Sequence, residues 1–113
     1  MKGIGVDIVE FTRIKAVKNK AKFVDKILSS REKEVYWELK NEKRQLEYLA
    51  GRFAMKEAIY KAASDLSKGK NFTDFSILNH ESGAPYLAEP IETGLLLTLS
   101  HSENYVVAFV VYF

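Results

Sequence analysis

The sequence predicts an α+β domain in which an antiparallel sheet packs against a long helix. Residues 11–65 carry helical spacing and capping residues, whereas residues 72–113 show strand-like runs separated by turn residues. Helices that come early and antiparallel strands that come late are typical of α+β folds. A length of 113 residues is expected for one domain, which we place over residues 1–113.

A first strand is predicted at residues 2–9, where side chains alternate between two faces. One face is apolar and the other combines small residues with an acid: Ile4, Val6 and Ile8 lie on the first, and Gly3, Gly5 and Asp7 on the second. Glycine lets another backbone or a ligand come close. An acid beside such glycines is unusual in a strand, because aspartate is depleted there.

Three helices are predicted next. The first covers residues 11–28, with an irregular period near its middle that predicts a bend or a break. Ser29 and Glu32 form a capping-box pattern that opens the second helix. Asn41 ends the second helix and starts the third, which runs to about Asp65.

The last third of the chain reads as strands. Strands are predicted at residues 72–79 and 86–88, around a turn at 81–85 that contains glycine and proline. Residues 95–100 and 105–113 then form a hairpin. We expect the N-terminal strand to join this later sheet.

Composition excludes several classes of protein. Hydrophobic residues make up 47% of the chain and charged residues 28%, as in ordinary globular proteins. The chain has no cysteine, so a disulfide framework and thiolate metal sites are excluded. No apolar run approaches the roughly 20 residues of a membrane span, and the N-terminus lacks the regions of a signal peptide. We therefore expect a cytoplasmic protein with no membrane partner.

Positive charge is concentrated in one segment. Residues 13–26 contain six bases and one acid, whereas the rest of the chain contains eleven bases and fourteen acids. The segment predicts an acidic partner, although a solvated helix face has the same pattern. A nucleic-acid-binding module is a rival interpretation, but a net charge of only +2 disfavours it and we expect no nucleic-acid partner.

Polar residues interrupt the predicted apolar stripe of the third helix. Continuing the stripe from Ala50 and Phe53 in steps of four leads to Glu57 and then Lys61. An ordinary Glu57–Lys61 helix salt bridge explains this pattern as well. With Asp7, however, Glu57 offers the two carboxylates that Mg²⁺ prefers, beside a lysine that can meet a phosphate oxygen. Asp7 has its own alternative role as a helix cap.

His101 directly follows the predicted strand at 95–100, next to the following turn, and continues the face of Leu95, Leu97 and Leu99. It is a candidate for phosphate contact or proton transfer. A partly buried histidine that bonds a backbone carbonyl is the structural alternative.

Three segments together resemble the holo-acyl-carrier-protein synthases, the small class of 4′-phosphopantetheinyl transferases. Residues 5–10, GVDIVE, are similar to the family's G-x-D-x-x-[E/T] motif, and residues 53–61, FAMKEAIYK, to its [F/W]-x-x-K-E-[A/S]-x-x-K motif. Ser100-His101 matches the family's Ser-His pair, and residues 83–86, GAPY, match its G-x-P-Y turn. The order, spacing and length agree over essentially the whole chain.

The resemblance implies a reaction in which coenzyme A donates its 4′-phosphopantetheine arm to a serine of apo acyl carrier protein. Adenosine 3′,5′-bisphosphate is released, and the carrier supports fatty acid biosynthesis. Asp7 and Glu57 are implied to hold Mg²⁺ against the pyrophosphate, and Lys61 to stabilise the leaving bisphosphate. Glu57 and a metal-bound water remain alternative bases for the serine proton.

The resemblance also implies contacts to the nucleotide and to partners. His101 would contact a phosphate of coenzyme A, and Arg44 and Arg52 would meet the nucleotide end, although both arginines could be surface residues. A homotrimer with active sites between subunits is implied. The basic segment would bind the acidic carrier protein through Arg13, Lys18, Lys20, Lys22 and Lys26.

Two further alternatives fit the carboxylates. Another Mg²⁺-dependent phosphotransfer enzyme or a phosphohydrolase would use them without a carrier protein. In a purely structural oligomer, Glu57–Lys61 would be a salt bridge and Asp7 a cap.

Overall fold

A computed structural model describes residues 2–113 of the chain. The strands are β1 (Gly3–Glu10), β2 (Ser76–Asn79), β3 (Pro85–Glu89), β4 (Leu95–His101) and β5 (Tyr105–Tyr112). The helices are α1 (Phe11–Lys15), α2 (Lys20–Ile27), α3 (Ser30–Glu38), α4 (Glu42–Ala62) and α5 (Ser64–Ser67), with a 3₁₀ turn at Phe72–Asp74. The predicted α+β class is confirmed.

The main sheet has three antiparallel strands in the order β1-β5-β4. Its register aligns Asp7 of β1 with Ala108 of β5, and Ala108 with Leu99 of β4. The prediction that the first strand joins the late hairpin is therefore confirmed. Strands β2 and β3 form a separate antiparallel pair.

Helix α4 packs on the inner face of this sheet, and two glycines of β1 allow its close approach. A Cβ at Gly3 would overlap the carbonyl oxygen of Ala62, and one at Gly5 would overlap that of Ala58. The room beside the glycines is therefore filled by the helix backbone and is not kept open for a ligand. Asp7, two residues further along the same face, lies beyond this close contact.

The opposite side of the sheet, which we call the outer sheet face, is apolar and exposed in the single chain. The predicted alternation of β1 is confirmed, and its apolar set faces outward: Ile4, Val6 and Ile8 are 57%, 52% and 59% exposed. Strands β4 and β5 extend the outer sheet face with Leu96, Tyr105, Val107 and Phe109.

Local capping explains where the helices begin. Ser29 and Glu32 form the predicted capping box at the start of α3. The Asn41 side chain accepts hydrogen bonds from the backbone N–H groups of Lys43 and Arg44, so α4 begins where the sequence predicts.

The break predicted near the middle of residues 11–28 is confirmed: α1 and α2 are separate helices, and Asn19 caps α2 through its side chain. Two other predicted boundaries were wrong or inexact. Residues 72–74 form the 3₁₀ turn instead of the start of a strand, because the Asp74 carboxylate accepts from the Asn71 N–H and closes the turn. Helix α4 ends at Ala62, before the expected Asp65.

Within residues 2–113, no helix combines the length and the hydrophobicity that a membrane crossing requires.

Candidate active site

The first group of predicted site residues lies where β1 passes α4, and we call Asp7, Glu57 and Lys61 the carboxylate edge. Lys61 Nζ donates to the carbonyl oxygen of Val6 at 2.9 Å and to Asp7 Oδ1 at 3.3 Å. The Lys61 side chain is 54% exposed and that of Asp7 only 18%. Strand and helix therefore bring an acid and a base together at the surface.

Glu57 lies one helical turn before Lys61 and is half-buried. The alternative Glu57–Lys61 salt bridge is not formed among residues 2–113, because the ammonium lies against Asp7 instead. The expectation that both side chains interrupt the core-facing stripe was wrong for Lys61, which is exposed. Residues four apart share a helix face, so Glu57 and Lys61 lie on the same side of α4, and Lys61 reaches Asp7.

The helix-cap alternative for Asp7 was wrong. Glu10 occupies the N-cap position of α1, and no side-chain bond caps that helix. The Asp7 carboxylate instead accepts a hydrogen bond from the Lys61 ammonium.

The donor set of the carboxylate edge fits a hard divalent cation. Asp7 and Glu57 supply carboxylate oxygens, and Mg²⁺ in phosphate sites is commonly held by one or two carboxylates with water and substrate completing the shell. No group of three or more acidic or histidine side chains within residues 2–113 is arranged as a metal site. The two carboxylates therefore fit a metal that is shared with a phosphate-bearing ligand.

A second group of predicted residues lines a cleft of about 550 Å³ between α3, α4 and the β2–β3 turn, which we call the arginine cleft. It brings together Arg44, Arg52 and His101, with Gly83 and Pro85 of the matched turn at its rim. The remaining lining residues are Val35, Leu39, Glu47, Tyr48, Asn79 and Leu99.

Arg52 is anchored inside this cleft. It is only 5% exposed, so its surface alternative was wrong. Its Nε and Nη2 donate to the carbonyl oxygen of Ile77 at 3.2 and 3.1 Å, and Nη2 also donates to Asn79 Oδ1 at 2.8 Å. The guanidinium stacks over the Tyr48 ring at 4.1 Å, and burial lowers the pKa of Arg52 from its ordinary value.

Arg44 and His101 stand at the exposed mouth of the arginine cleft, on either side of Glu47. Arg44 Nε lies 3.9 Å from one Glu47 oxygen, and His101 Nδ1 lies 4.0 Å from the other. The His101 ring also meets the edge of Phe11 at 6.4 Å between centroids. The alternative of a histidine bonded to a backbone carbonyl was wrong among residues 2–113. Arg44 is indeed a surface arginine.

Two cleft residues were not indicated by the sequence. Glu47 lies between Arg44 and His101, but a glutamate on a helix is too common in sequences to indicate a site. The Tyr48 hydroxyl is buried without a hydrogen-bond partner among residues 2–113. Burial raises the pKa of Tyr48 to about 12, although the nearby Arg52 charge opposes the shift.

A third unpredicted feature is a buried ion pair between Lys56 and Glu32, both 0% exposed. The sequence indicates Glu32 only as a capping residue and Lys56 only as part of the matched motif. Burial lowers the pKa of Lys56, and the Glu32 carboxylate opposes that shift.

The carboxylate edge and the arginine cleft lie on different sides of α4 within one chain. Asp7 is on β1 and His101 on β4, with β5 between them, so the two strands are about 10 Å apart. None of the three residues of the carboxylate edge lines the arginine cleft.

The basic segment forms α1, α2 and the loop that joins them. Arg13, Lys18, Lys22 and Lys26 are exposed, and Arg13 lies 5.7 Å over the Phe53 ring. Lys20 is partly buried and donates to the carbonyl oxygen of Ile14 at 2.8 Å. The three other lysines therefore have the side chains most available to a partner.

Comparison with known proteins decides the family. A family model described as the 4′-phosphopantetheinyl transferase superfamily matches residues 3–110. A holo-[acyl-carrier-protein] synthase of Acholeplasma laidlawii is 44% identical over 110 residues, which cover 96% of this chain and 92% of the relative. The chain belongs to the holo-[acyl-carrier-protein] synthases, a family of 4′-phosphopantetheinyl transferases. The resemblance stated from the motifs is confirmed.

Solved structures agree with this family membership. A holo-(acyl-carrier-protein) synthase from Bacillus anthracis, in complex with CoA (3′,5′-ADP), has a TM-score of 0.83 and 38% identity, covering 98% of this chain and 95% of that one. The holo-[acyl-carrier-protein] synthase of Helicobacter pylori, in complex with coenzyme A, has a TM-score of 0.72 and 30% identity, with 97% and 99% coverage. The fold is thus that of the phosphopantetheinyl transferases, and the chain is an enzyme of this transferase class.

Proposed function

We propose that this transferase moves the 4′-phosphopantetheine arm of coenzyme A to a serine hydroxyl of apo acyl carrier protein, with Mg²⁺ as cofactor. The observation that carries the proposal is the carboxylate edge, where Asp7, Glu57 and Lys61 combine metal-type ligands with a phosphate-binding ammonium. We place the reaction in cytoplasmic fatty acid biosynthesis and regard residues 1–113 as one catalytic domain.

The chemistry is a phosphoryl transfer with a simple balance of bonds. The serine oxygen forms a bond to the phosphorus attached to the pantetheine arm, and the bridging P–O bond of the pyrophosphate breaks. The serine proton leaves to a base, for which Glu57 and a water remain the candidates, and adenosine 3′,5′-bisphosphate departs with the bridging oxygen. Such reactions depend on positioning and on neutralising the phosphate oxygens.

The carboxylate edge would hold the reacting pyrophosphate. Asp7 and Glu57 would bind Mg²⁺, which when bound neutralises charge on the phosphate oxygens. Lys61 reaches this position from the helix, and its 54% exposure leaves it free to turn toward the departing bisphosphate. The half-buried Glu57 is held in place by the turn of α4 that packs against β1.

The arginine cleft would receive the nucleotide end of coenzyme A. Arg44, Arg52 and His101 contribute cationic or neutral N–H donors to one concave surface, which suits a phosphate monoester such as the 3′-phosphate. Arg52 is the anchored member of the three, and Arg44 and His101 are exposed enough to close on a ligand.

The basic segment would dock the carrier. Its charge complements an acidic protein, and charges across an interface raise association rates and fix orientation. Residues Lys15 and Lys20 also line a neighbouring cleft of about 530 Å³ between α1, α3 and α4.

The proposed assembly is a homotrimer in which two subunits complete each active site. Support comes from the exposed apolar outer sheet face and from the separation of the carboxylate edge and the arginine cleft within one chain. A contiguous apolar surface of this kind is rarely left open in a monomer.

The direct test is intact-protein mass spectrometry of an apo acyl carrier protein after incubation with the enzyme, coenzyme A and Mg²⁺. We expect the carrier to gain the mass of phosphopantetheine, and the gain to disappear with EDTA and with the Asp7→Asn enzyme. No gain with a verified apo carrier and folded enzyme would contradict the reaction. A gain that persists in EDTA would contradict only the metal.

A further inference from the structure

We propose that the buried Lys56–Glu32 pair is a positioning device that acts through strand β2 to hold the Arg52 guanidinium ready for the 3′-phosphate of the nucleotide. The inference rests on the proposed nucleotide role of the arginine cleft. It assigns a role to two residues that touch neither substrate nor metal in the proposed function.

Lys56 ties three separate parts of the chain to α4. Its Nζ donates to the carbonyl oxygen of Ile27 at 2.7 Å, to the carbonyl oxygen of Phe72 at 2.9 Å, and to Glu32 Oε1. An ammonium has three N–H donors, so the whole hydrogen-bonding capacity of the buried lysine is used. The end of α2, the start of α3 and the 3₁₀ turn are thereby fixed relative to the helix that carries Arg52.

Glu32 passes this constraint to strand β2. Besides the lysine, its carboxylate accepts from the backbone N–H of Ser29 and from that of Ile77, both at 2.8 Å. Ile77 lies in a strand of only four residues that pairs on one side with β3. The Glu32 carboxylate therefore accepts the hydrogen bond of a strand N–H group on the side of β2 that has no neighbouring strand.

The same residue of β2 receives Arg52. The backbone N–H of Ile77 donates to the Glu32 carboxylate, and the Ile77 carbonyl oxygen accepts two hydrogen bonds from the Arg52 guanidinium. One residue is thus clamped between the buried carboxylate and the cleft arginine. A shift of β2 would move the acceptor that sets the rotation of the Arg52 fork.

These hydrogen bonds leave Nη1 of the Arg52 guanidinium available to a ligand. Nε and Nη2 are bound to Ile77 and Asn79, whereas Nη1 has no hydrogen bond to any atom of residues 2–113. Arg52 lines the arginine cleft. A planar fork that is fixed on two nitrogens presents the third in a defined direction, which favours one phosphate position.

Stability alone does not account for the pair. Removing charges from water is costly, and a buried ion pair is often no more stabilising than apolar residues of similar volume. The links from Lys56 to Arg52 give the pair a role in orientation that an apolar pair would not reproduce.

The test measures recognition of a single phosphate. Calorimetry would compare binding of adenosine 3′,5′-bisphosphate and adenosine 5′-monophosphate by the full-length enzyme in Mg²⁺ buffer. We expect the wild-type enzyme to prefer the bisphosphate by roughly tenfold or more, as a charged hydrogen bond allows. The double variant Glu32→Gln/Lys56→Met is expected to lose most of this preference while binding of the monophosphate stays nearly constant.

Two further variants make the test decisive. Asn79→Ala removes the second anchor of Arg52 from an exposed position, so it is expected to fold and to reduce the preference even if the double variant does not fold. Ser76→Ala is the matched control. It removes the buried β2 hydroxyl that bonds Ser29 Oγ and Glu89 Oε1 but leaves the hydrogen bonds that join Glu32, Ile77 and Arg52, and it should lower stability without changing the preference.

The outcomes separate the two proposals. A wild-type enzyme that binds both nucleotides equally would contradict 3′-phosphate recognition in the arginine cleft. A wild-type preference that survives in the folded double variant would overturn the positioning role of the pair. A preference that survives in Asn79→Ala would overturn the anchoring of Arg52 through which the pair is proposed to act. An equal loss in Ser76→Ala would also overturn the positioning role, because general loosening of β2 would then explain the effect.

Discussion

Two lysines of α4 have different roles because one is buried and the other is exposed. Lys56 is 0% exposed and has every donor occupied, whereas Lys61 is 54% exposed and contacts Asp7. Five residues along a helix correspond to a rotation well beyond one turn, so the two side chains leave different faces. Only Lys61 keeps the freedom to exchange a carboxylate for a phosphate.

At Tyr48, replacing the hydroxyl is expected to help stability. The Tyr48 hydroxyl is buried without a partner among residues 2–113, and an unpaired buried hydroxyl costs about 1–3 kcal/mol. Tyr48→Phe should therefore raise the free energy of unfolding at pH 7 by about 1 kcal/mol. Urea denaturation of the purified variants would measure this difference.

The advantage of Tyr48→Phe should grow at high pH. The pKa of Tyr48 is raised from 10.0 to about 12 in the folded protein. Between these values the unfolded chain releases its proton and the folded chain keeps it, so wild-type stability falls as pH rises through this window. The Tyr48→Phe variant has no hydroxyl to ionise, so it does not lose this stability. A stability difference that stays constant from pH 9 to pH 12 would show that the hydroxyl is not buried as described.

At the residue scale, the sequence drew attention to partly exposed acids more readily than to the buried charged residues. Asp7 and Glu57 could be found because acids in a strand and within an apolar stripe break a pattern. Glu32 and Arg52 break no pattern that reveals their burial, since the compensating partners come from residues 24 to 45 positions away. Long-range pairing of this kind is a property of tertiary structure.

At the scale of elements, the contact between β1 and α4 positions the carboxylate edge. Small residues on both sides let the backbones approach, which brings Asp7 within reach of Lys61. That β1 joins the late sheet could be predicted from the sequence, and so could the break between α1 and α2, from the irregular period near Asn19. The 3₁₀ turn depends on a single side-chain cap, which periodicity detects poorly.

Two glycine-to-alanine substitutions should have opposite effects on stability. Gly5→Ala places a methyl group against the carbonyl oxygen of Ala58 and should cost about 1–3 kcal/mol as an overpacked site. Gly51→Ala meets only a Leu99 methyl group at 3.4 Å and should gain up to about 1 kcal/mol from helix propensity. Thermal and chemical denaturation would measure both; equal effects would contradict the close approach of β1 and α4.

The basic segment should affect the KM for the carrier protein and not the KM for coenzyme A. Lys22→Glu and Lys26→Glu, alone and together, reverse exposed charges and are expected to raise KM for the carrier several-fold and to reduce its salt dependence. KM for coenzyme A should stay constant. Lys40→Glu, an exposed reversal outside the basic segment, is the control for net charge. An equal rise of KM for both substrates would argue against docking on these helices.

At the scale of the whole molecule, the single chain presents the carboxylate edge, the arginine cleft and an exposed apolar sheet face. Val6 of β1 and Phe109 of β5 are paired in register at the middle of the outer sheet face and are 52% and 42% exposed. Covering this face with other copies would bury apolar area and would give each carboxylate edge access to an arginine cleft from a neighbour. The inner and outer faces of one sheet would then serve folding and assembly respectively.

This arrangement predicts that two inactive enzymes restore each other. Asp7→Asn disables the carboxylate edge and His101→Ala disables the arginine cleft, so each homotrimer should have little transferase activity. In mixed trimers, Asp7 of one subunit meets His101 of another, and some sites regain both groups. Subunits mixed under mild dissociating conditions and then reassembled should therefore recover a substantial fraction of activity, measured as carrier modification. The same mixture with Phe109→Glu in both chains should stay monomeric by sedimentation and inactive. Failure of assembled mixed trimers to regain activity would mean that each subunit builds its site alone.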